Sequence, residues 1–491
     1  MIDLTVNTSQ LENAVKRARE MNIIIPTFDQ MRHPEKIPQS IVEKLKNVGL
    51  WDIDPINLFR ISWKNDPQEK GGAFRSIPNY LVLPSSITGV DAKIVVLLGK
   101  WFPTGAHKVG AAFGCLVPRL VTGQFDPTKY EAVWPSTGNY CRGGAFDSQL
   151  LGCKSIAILP EGMSKERFEW LTTVAGEIIR TPGSESNVKE IYDKCHELEA
   201  ERGEEIMVFN QFAEFGNHLW HYEITGNAIK DVLDEVMTGD DEFFGSCFTT
   251  GSAGTIGAGD FLKDHYPKSK VMAGEAAQCP TLLENGYGVH RIEGIGDKHV
   301  PWIHNMRNTD MIIAIDDNDP VNLVRLFNEP EGKKVLAEKG VPEDLISKLH
   351  QLGISSIANI LMCVKAAKYF ELGSNDVLVT VATDSMDLYK SRLHELEEEY
   401  GKYSREDALV DYHRSILGIK TDNMLELGYQ EKRRIHNLKY FTWVEQQGKT
   451  VEELNAQWYD YKSYWPSIHQ SVEAIDEAIR NFNKKVGLLE E

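Results

Sequence analysis

The sequence lacks three features that would point to a membrane, a secreted or a nucleic-acid-binding protein. It has no apolar run of about 18 residues, which a membrane helix needs, and its first twenty residues contain no apolar signal core. Its seven cysteines are an odd number without a Cys-x-x-Cys pair, which argues against a disulfide framework or a zinc ribbon and favours a reducing cytoplasm. Its net charge of -19 argues against partners that need a basic surface, such as nucleic acid or an anionic membrane.

The composition and the order of apolar segments indicate a soluble α/β protein. The chain has 491 residues, 42% of them hydrophobic and 25% charged, as in an ordinary globular protein. Short apolar segments that read as buried strands alternate with helical patterns over some 300 residues; these segments are KIVVLL, EAVWPS, KSIAILP, GEIIRTP, IMVFNQF, SCFTTG, KVMAGEA, MIIAIDD and DVLVTVAT. This alternation predicts parallel sheets covered by helices on both faces, most simply in two lobes.

The chain divides into three predicted parts. Residues 1–75 read as a helical segment that joins the large lobe, with a first helix that starts near Thr8 or Ser9. Residues 76–390 form the two-lobed unit, in which the smaller lobe covers roughly 110–215. Residues 391–491 read as a C-terminal extension of helices and loops without strands. The aromatic and basic stretch YQEKRRIHNLKYFTWVEQQG in this extension is expected to pack; a cap over the active site or a dimer interface stays open.

Lys108 lies at a junction between a predicted strand and a helix of small residues, in the stretch WFPTGAHKVGAAFGCL. Three further loops follow strands. PSTGNYCRGGAF has hydroxyl, amide and backbone N–H groups suited to a carboxylate, FTTGSAGTIGAGDFLK can hold a phosphate, and LGISSIAN places Ser355 at a helix start. Each loop is also explained by a tight turn or a helix cap. The glycine loop fits neither the P-loop nor the dinucleotide pattern.

A metal site is not predicted. His218 and His221 in NHLWHYE can share one helix face, but no acidic or sulfur ligand lies at ligand spacing. An ordinary polar helix face is the expected explanation.

In combination and in this order, the four segments resemble the fold-type II pyridoxal-phosphate enzymes, and most of all cysteine synthase (O-acetylserine sulfhydrylase). The resemblance covers about residues 75–390 and extends to FNQFAEFGNHLWHYEITG and GYGVHRIEGIGDKHVP. It implies pyridoxal 5'-phosphate as cofactor, an amino-acid substrate and a homodimer. The GAHK tetrad is instead similar to the tryptophan synthase β subunit.

The resemblance also implies residue roles. Lys108 would form the Schiff base with the cofactor and then act as the base for the Cα proton, with small neighbours such as Gly105 and Gly110 leaving room for the ring. Asn139 would bind the ring hydroxyl, and Ser355 the pyridine nitrogen. The residues implied to hold the phosphate are Gly251, Ser252, Ala253, Gly254 and Thr255. Those implied to bind the substrate are Ser136, Thr137, Gly138, Tyr140 and Gln211.

The reaction implied is β-replacement on a β-substituted L-alanine such as O-acetylserine, by way of an aminoacrylate. A β-eliminating lyase that releases pyruvate and ammonia from cysteine, serine or diaminopropionate is the alternative. Cysteine synthases usually have a small Thr-Gly after the asparagine, whereas this chain reads YCRGG, in which Tyr140 and Arg142 bring bulk and a charge close to the expected substrate position. Arg142 is therefore the candidate contact for an acidic leaving group or acceptor, unless it points to solvent. A cofactor-holding binding protein is disfavoured because Lys108, Asn139 and Ser355 are all present.

Overall fold

The computed structural model describes residues 2–489, which form a helical N-terminal segment, an alternating α/β region and a C-terminal region. The N-terminal elements are α1 (Thr8–Glu20), α2 (Phe28–Arg32), α3 (Gln39–Leu45), β1 (Tyr80–Leu83) and α4 (Ser85–Thr88). The first half of the alternating region contains β2 (Lys93–Leu98), α5 (Lys108–Val121), β3 (Glu131–Pro135), α6 (Asn139–Leu150), β4 (Ser155–Pro160), α7 (Lys165–Val174), β5 (Glu177–Thr181), α8 (Val188–Arg202), β6 (Ile206–Val208), α9 (Phe215–Trp220) and α10 (Gly226–Val236).

The second half continues the alternation into the C-terminal region. It contains β7 (Glu242–Thr249), α11 (Ile256–His265), β8 (Lys270–Ala276), α12 (Thr281–Glu284), β9 (Met311–Ile315), α13 (Asn318–Asn328), α14 (Pro330–Glu338), α15 (Glu343–Ile346), α16 (Ile354–Tyr369) and β10 (Asp376–Ala382). The C-terminal elements are α17 (Lys390–Tyr400), α18 (Arg405–Asp411), β11 (Met424–Glu426), α19 (Tyr429–Lys439), α20 (Val451–Tyr459), α21 (Tyr461–His469) and α22 (Ser471–Val486).

The α/β class is confirmed, and all nine predicted apolar segments contain strands. A seven-stranded sheet has the order β1-β2-β10-β7-β8-β9-β11, and a four-stranded sheet has the order β5-β4-β3-β6. All strands of the smaller sheet are parallel, and only β1 and β11 at the two edges of the larger sheet run antiparallel. Strands that are buried on both faces need continuous apolar sequence, which is why these segments were recognisable.

The C-terminal region differs from the prediction of helices without strands. Its strand β11 pairs with β9 and completes the edge of the larger sheet, with Leu425 opposite Ile312. A three-residue strand is too short to give a periodic signal, so the sequence pattern could not reveal it.

The C-terminal region also packs tightly on the N-terminal segment. The Asn483 side chain accepts a hydrogen bond from the Ile25 N–H at 3.0 Å and donates one to the Ile25 carbonyl at 2.7 Å. The Asp476 carboxylate accepts from the N–H groups of Phe28 and Asp29 at 2.7 and 3.0 Å. These hydrogen bonds let α22 hold the first helices in place. In the stretch that was expected to pack, Trp443 is buried and its indole N–H donates to the Val300 carbonyl at 2.8 Å. Over residues 2–489, no helix combines the length and apolar character needed to cross a membrane.

Candidate active site

Lys108 is the first residue of α5 and lies where the two lobes meet. Its Nζ donates to the Ser252 hydroxyl at 2.9 Å and to the Gln211 side-chain oxygen at 3.2 Å. These partners come from two of the other predicted segments, so the structure brings the lysine, the glycine loop and the Asn-Gln-Phe segment together. Burial lowers the pKa of Lys108 to about 8, against the opposing effect of the Asp297 carboxylate. A lysine with this pKa provides neutral amine near neutral pH.

The asparagine loop connects β3 to α6 on the smaller lobe. The Ser136 hydroxyl accepts hydrogen bonds from the Gly138 N–H at 3.1 Å and from the Gln211 amide at 3.2 Å. Gly138 has a φ of 154°, and a Cβ there would lie 2.6 Å from Nη1 of Arg167. Glycine is therefore required at this position. Gln211 therefore contacts both Ser136 of this loop and Lys108, and the substrate-binding roles stay a prediction.

Asn139 begins α6 and has one free acceptor. Its Nδ2 donates to Oδ2 of Asp384 at 2.6 Å, while its Oδ1 is buried without a hydrogen-bond partner in the described residues. The second N–H of this amide remains for a ligand. Asp384, which follows β10, was not predicted as part of the site.

The glycine loop connects β7 to α11, and its small residues are sterically required. A Cβ on Gly254 would lie 2.2 Å from Oδ1 of Asn217, and Ala253 adopts a φ of 60°. Asn217 in turn donates to the Ser252 hydroxyl at 3.0 Å. The residues from Gly251 to Thr255 thus form a cradle before the N-terminus of α11, where backbone N–H groups favour an anion.

Ser355 lies in the first turn of α16 and is buried. Its hydroxyl faces the backbone at Gly294, where a Cβ would be 3.7 Å away. The small residues near Lys108, however, do not serve the purpose expected of them. A Cβ on Gly105 would collide with Trp51 and one on Gly110 with Trp220, at 2.6 and 2.0 Å. These two glycines make room for tryptophan rings.

Two acidic residues near Lys108 were not singled out from the sequence. Burial raises the pKa of Asp297 to about 7 against the effect of the Lys108 ammonium. Burial likewise raises the pKa of Glu185 to about 8 against the attraction of Arg167. Glu185 accepts a hydrogen bond from the Thr137 hydroxyl. Both residues can carry a proton near neutral pH, and only proximity in the fold reveals this.

Behind the asparagine loop, Arg167 of α7 is fully buried among acidic groups. It lies 2.9 Å from Oε2 of Glu293 and 3.8 Å from Oδ2 of Asp384, and it donates to the Tyr389 hydroxyl at 2.8 Å. It also donates to the Thr137 carbonyl at 3.1 Å. This network fixes the loop that carries the predicted substrate contacts, although no local sequence pattern indicated it.

Tyr140 and Arg142, both predicted to bind substrate, are buried in α6. The Tyr140 ring packs at 5.4 Å against Trp134 in the core. The Arg142 guanidinium lies 4.8 Å from the Trp170 ring and 5.4 Å from the Trp51 ring. It does not point to solvent, so that alternative is wrong, and its role toward a substrate stays a prediction.

The expectation of a polar helix face at His218 and His221 is wrong. Both imidazoles are fully buried. His221 packs edge-on against His107 with ring centroids 4.9 Å apart, beside the glycine loop. His218 packs against the C-terminal region, with its Nε2 3.0 Å from Nε2 of His469.

Comparison with known proteins identifies the family. The family model described as pyridoxal-phosphate dependent enzyme matches residues 85–336, just over half of the chain. The chain belongs to this family. It is 30% identical over 301 residues to a cysteine synthase of Staphylococcus aureus, covering 61% of this chain and 88% of that protein. It is 28% identical over 301 residues to a probable cysteine synthase of Bacillus subtilis, covering 61% and 89%.

The fold agrees with that of solved family structures. The O-acetylserine sulfhydrylase isoform 3 of Entamoeba histolytica superposes with a TM-score of 0.56 at 22% sequence identity, over 69% of this chain and 93% of that one. The protein is therefore a pyridoxal-phosphate-dependent enzyme of the cysteine synthase type, and its cofactor is pyridoxal 5'-phosphate. The site fits this group, because the lysine with a lowered pKa, the glycine cradle and the free N–H of Asn139 match its aldehyde, phosphate and ring hydroxyl.

Proposed function

We propose that the enzyme catalyses β-replacement on a β-substituted L-alanine, with O-acetylserine as donor and sulfide as acceptor. The observation that carries this proposal is the contact of the Lys108 amine with both Ser252 and Gln211. This contact joins the glycine loop, which would hold the cofactor phosphate, to a predicted substrate-binding residue. When bound, pyridoxal phosphate supplies an electron sink for negative charge at the substrate Cα. Ser355 as partner of its ring nitrogen suits a mild electron sink, as the loss of a β-substituent requires.

The chain's own groups then have separable tasks. Lys108 takes the proton from the substrate Cα, for which its pKa of about 8 is suitable. Ser136 and Gln211 bind the substrate carboxylate through hydroxyl and amide donors, beside Thr137, whose hydroxyl donates to Glu185. Asn139 orients the cofactor ring, and the buried loops exclude water from the reacting atoms.

Elimination is the second candidate, and the two acidic residues favour it. Acetate leaves without a proton, whereas hydroxide, ammonia or hydrosulfide leaves faster when an acid protonates it. Asp297 and Glu185 are buried carboxyl groups with pKa values of about 7 and 8. They would provide that proton for serine, diaminopropionate or cysteine, and the products would be pyruvate and ammonia.

Product analysis separates the two candidates. The holoenzyme is incubated with O-acetylserine, with and without sulfide, and cysteine, acetate, pyruvate and ammonia are measured. Cysteine that forms only with sulfide, without pyruvate, supports replacement. Pyruvate and ammonia from O-acetylserine, serine, cysteine or diaminopropionate without sulfide support elimination. If no product forms from any of these substrates, both candidates are wrong.

Two variants test the roles proposed for Lys108 and Asp297. Lys108→Ala is expected to lower kcat by a factor of about 10³ or more while pyridoxal phosphate still binds, because the base for the Cα proton is lost. Asp297→Asn is expected to lower elimination from serine more than replacement on O-acetylserine. A Lys108→Ala enzyme with unchanged kcat would contradict the role of the lysine. The homodimer and the cytoplasmic location remain predictions.

A further inference from the structure

Three potential metal ligands meet in the interior, away from Lys108. They are His218 of α9, Asp260 of α11 and His469, the last residue of α21. Nε2 of His218 lies 3.0 Å from Nε2 of His469 and 3.6 Å from Oδ2 of Asp260. The exposed fractions of the three residues are 0%, 1% and 9%. The motif NHLWHYE does not reveal this cluster, because Asp260 and His469 come from segments that are distant in sequence from His218.

The spacing of these atoms fits a shared ion. In tetrahedral zinc sites the ligand atoms lie about 2.0–2.2 Å from the metal, which places neighbouring ligand atoms about 3.3 Å from one another. The distances of 3.0 and 3.6 Å lie on either side of this value. The planes of the two imidazoles differ by only 7°, with ring centroids 5.3 Å apart, and their Nε2 atoms face each other in a hydrogen bond. An ion bound by both nitrogens would replace this hydrogen bond and would require a small rotation of the rings. Two imidazoles and one carboxylate are ligands that zinc commonly has.

The surrounding residues fix the ligands as an outer shell does. Asn305 donates to Oδ2 of Asp260 at 2.7 Å, and Asn308 donates to Oδ1 at 3.0 Å. The Tyr222 ring stacks on His469 with centroids 3.6 Å apart. Hydrogen bonds to a ligating carboxylate and packing against an imidazole orient metal ligands. The buried cation nearby, Lys439, donates to the Trp302 and His304 carbonyls and to the Gln457 side chain, so oxygen atoms compensate its charge.

We propose that His218, Asp260 and His469 bind one divalent transition-metal ion, for which Zn²⁺ is the best match, with a water completing the tetrahedron. The ion joins α21 of the C-terminal region to α9 and α11. One ligand of the ion lies next in sequence to a residue that contacts the cofactor cradle. Asn217 directly precedes His218 and donates to the hydroxyl of Ser252.

The first test measures metal in the full-length holoenzyme. The protein is produced without a histidine tag in zinc-supplemented medium, and its bound metals are quantified by mass spectrometry. About one zinc per chain is expected. The ion is then removed with a chelator, and zinc is titrated back while the Tm is followed. A rise in Tm that saturates at one equivalent supports the site. A protein that contains no stoichiometric transition metal and whose Tm does not respond to zinc would overturn the proposal.

The second test assigns the ligands. His469→Gln and Asp260→Asn are expected to reduce the bound zinc at least tenfold. His436→Gln is the matched control, because His436 is a buried histidine of the same region that is bonded to the Leu454 carbonyl at 2.9 Å and lies outside the cluster. It should keep its zinc. Equal metal contents in all three variants would overturn the assignment. Substitution by Co²⁺ provides an optical signature that requires no substrate, so the result is independent of the proposed reaction.

Discussion

The start of α6 and the start of α7 each hold a fully buried arginine, and the two arginines are compensated in opposite ways. Arg167 has Glu293, Asp384 and Tyr389 around it. Although burial lowers its pKa, these groups outweigh that effect and raise the pKa above the usual value. Arg142 has only the faces of Trp51 and Trp170 and no hydrogen-bond partner among residues 2–489. Burial and the charge of Arg167 lower its pKa to about 10.

This difference indicates that the charge of Arg167 stabilises the fold, whereas the charge of Arg142 is available to a ligand. Arg167 is not available to a further anion, because Glu293 and Asp384 compensate its charge and both of its terminal nitrogens donate hydrogen bonds. Arg142 has unused donors on all three nitrogens, and a buried unpaired guanidinium is costly unless an anion arrives. Arg142 therefore stays the predicted contact for an acidic leaving group or acceptor. The following substitutions test it.

The largest effect is expected for Arg167→Met. Removal of this guanidinium leaves Glu293 and Asp384 buried with fewer partners, which typically destabilises a protein by about 3–5 kcal/mol. Denaturant unfolding of the variant and the wild type measures this difference. Arg180→Met, which removes an exposed arginine from β5, is the control and should change stability by less than about 1 kcal/mol. Equal losses in both variants would mean that the network does not stabilise the loop.

A smaller effect is expected at Asp147 of α6, a third buried charge and the acidic counterpart of Arg142. Both of its carboxylate oxygens lack a hydrogen-bond partner within the described chain, and burial raises its pKa well above the ordinary value. Because the folded state favours the protonated acid, its contribution to stability falls as pH rises above the unfolded pKa of about 4. Asp147→Asn is expected to abolish this loss of stability with rising pH.

Unfolding free energies at pH 4.5 and pH 8 check the expectation for Asp147. The variant should gain about 1 kcal/mol or more relative to the wild type between these values. Asp240→Asn, at an exposed position, should show no such gain. If the difference in unfolding free energy between Asp147→Asn and the wild type is the same at both pH values, the predicted effect of Asp147 on stability is wrong.

The smallest change in stability is expected for Arg142→Met, within about 1 kcal/mol of the wild type, since apolar replacement of a buried charge is often neutral. Its kinetic effect is specific. KM for an acidic donor or acceptor should rise, whereas KM for a neutral substrate should not. Arg142→Lys keeps the positive charge but changes the packing, so it separates the effect of the charge from the effect of the packing. Unchanged KM values with every substrate would exclude Arg142 from the substrate site.

The same comparison shows what the sequence could reveal. The strands were predictable because burial on both faces demands continuous apolar segments. Lys108, Asn139, Ser252 and Ser355 could be singled out as site candidates because they lie just after such segments. Glu185, Asp297 and Asp384 were missed because nothing in their local sequence differs from ordinary polar loops. Their importance arises from burial, which depends on which segments meet. His218 was misjudged for the same reason, since its neighbours on α11 and α21 are distant in sequence.

The hydrogen bonds between Ile25 and Asn483 also set the order of events during synthesis. The two residues are 458 positions apart, and at about 5–20 residues per second a ribosome needs roughly 20–90 s to cover this distance. For that time the first helices have emerged, but the residue that completes their hydrogen bonds does not yet exist. The N-terminal segment, although made first, is therefore among the last parts to reach its final structure.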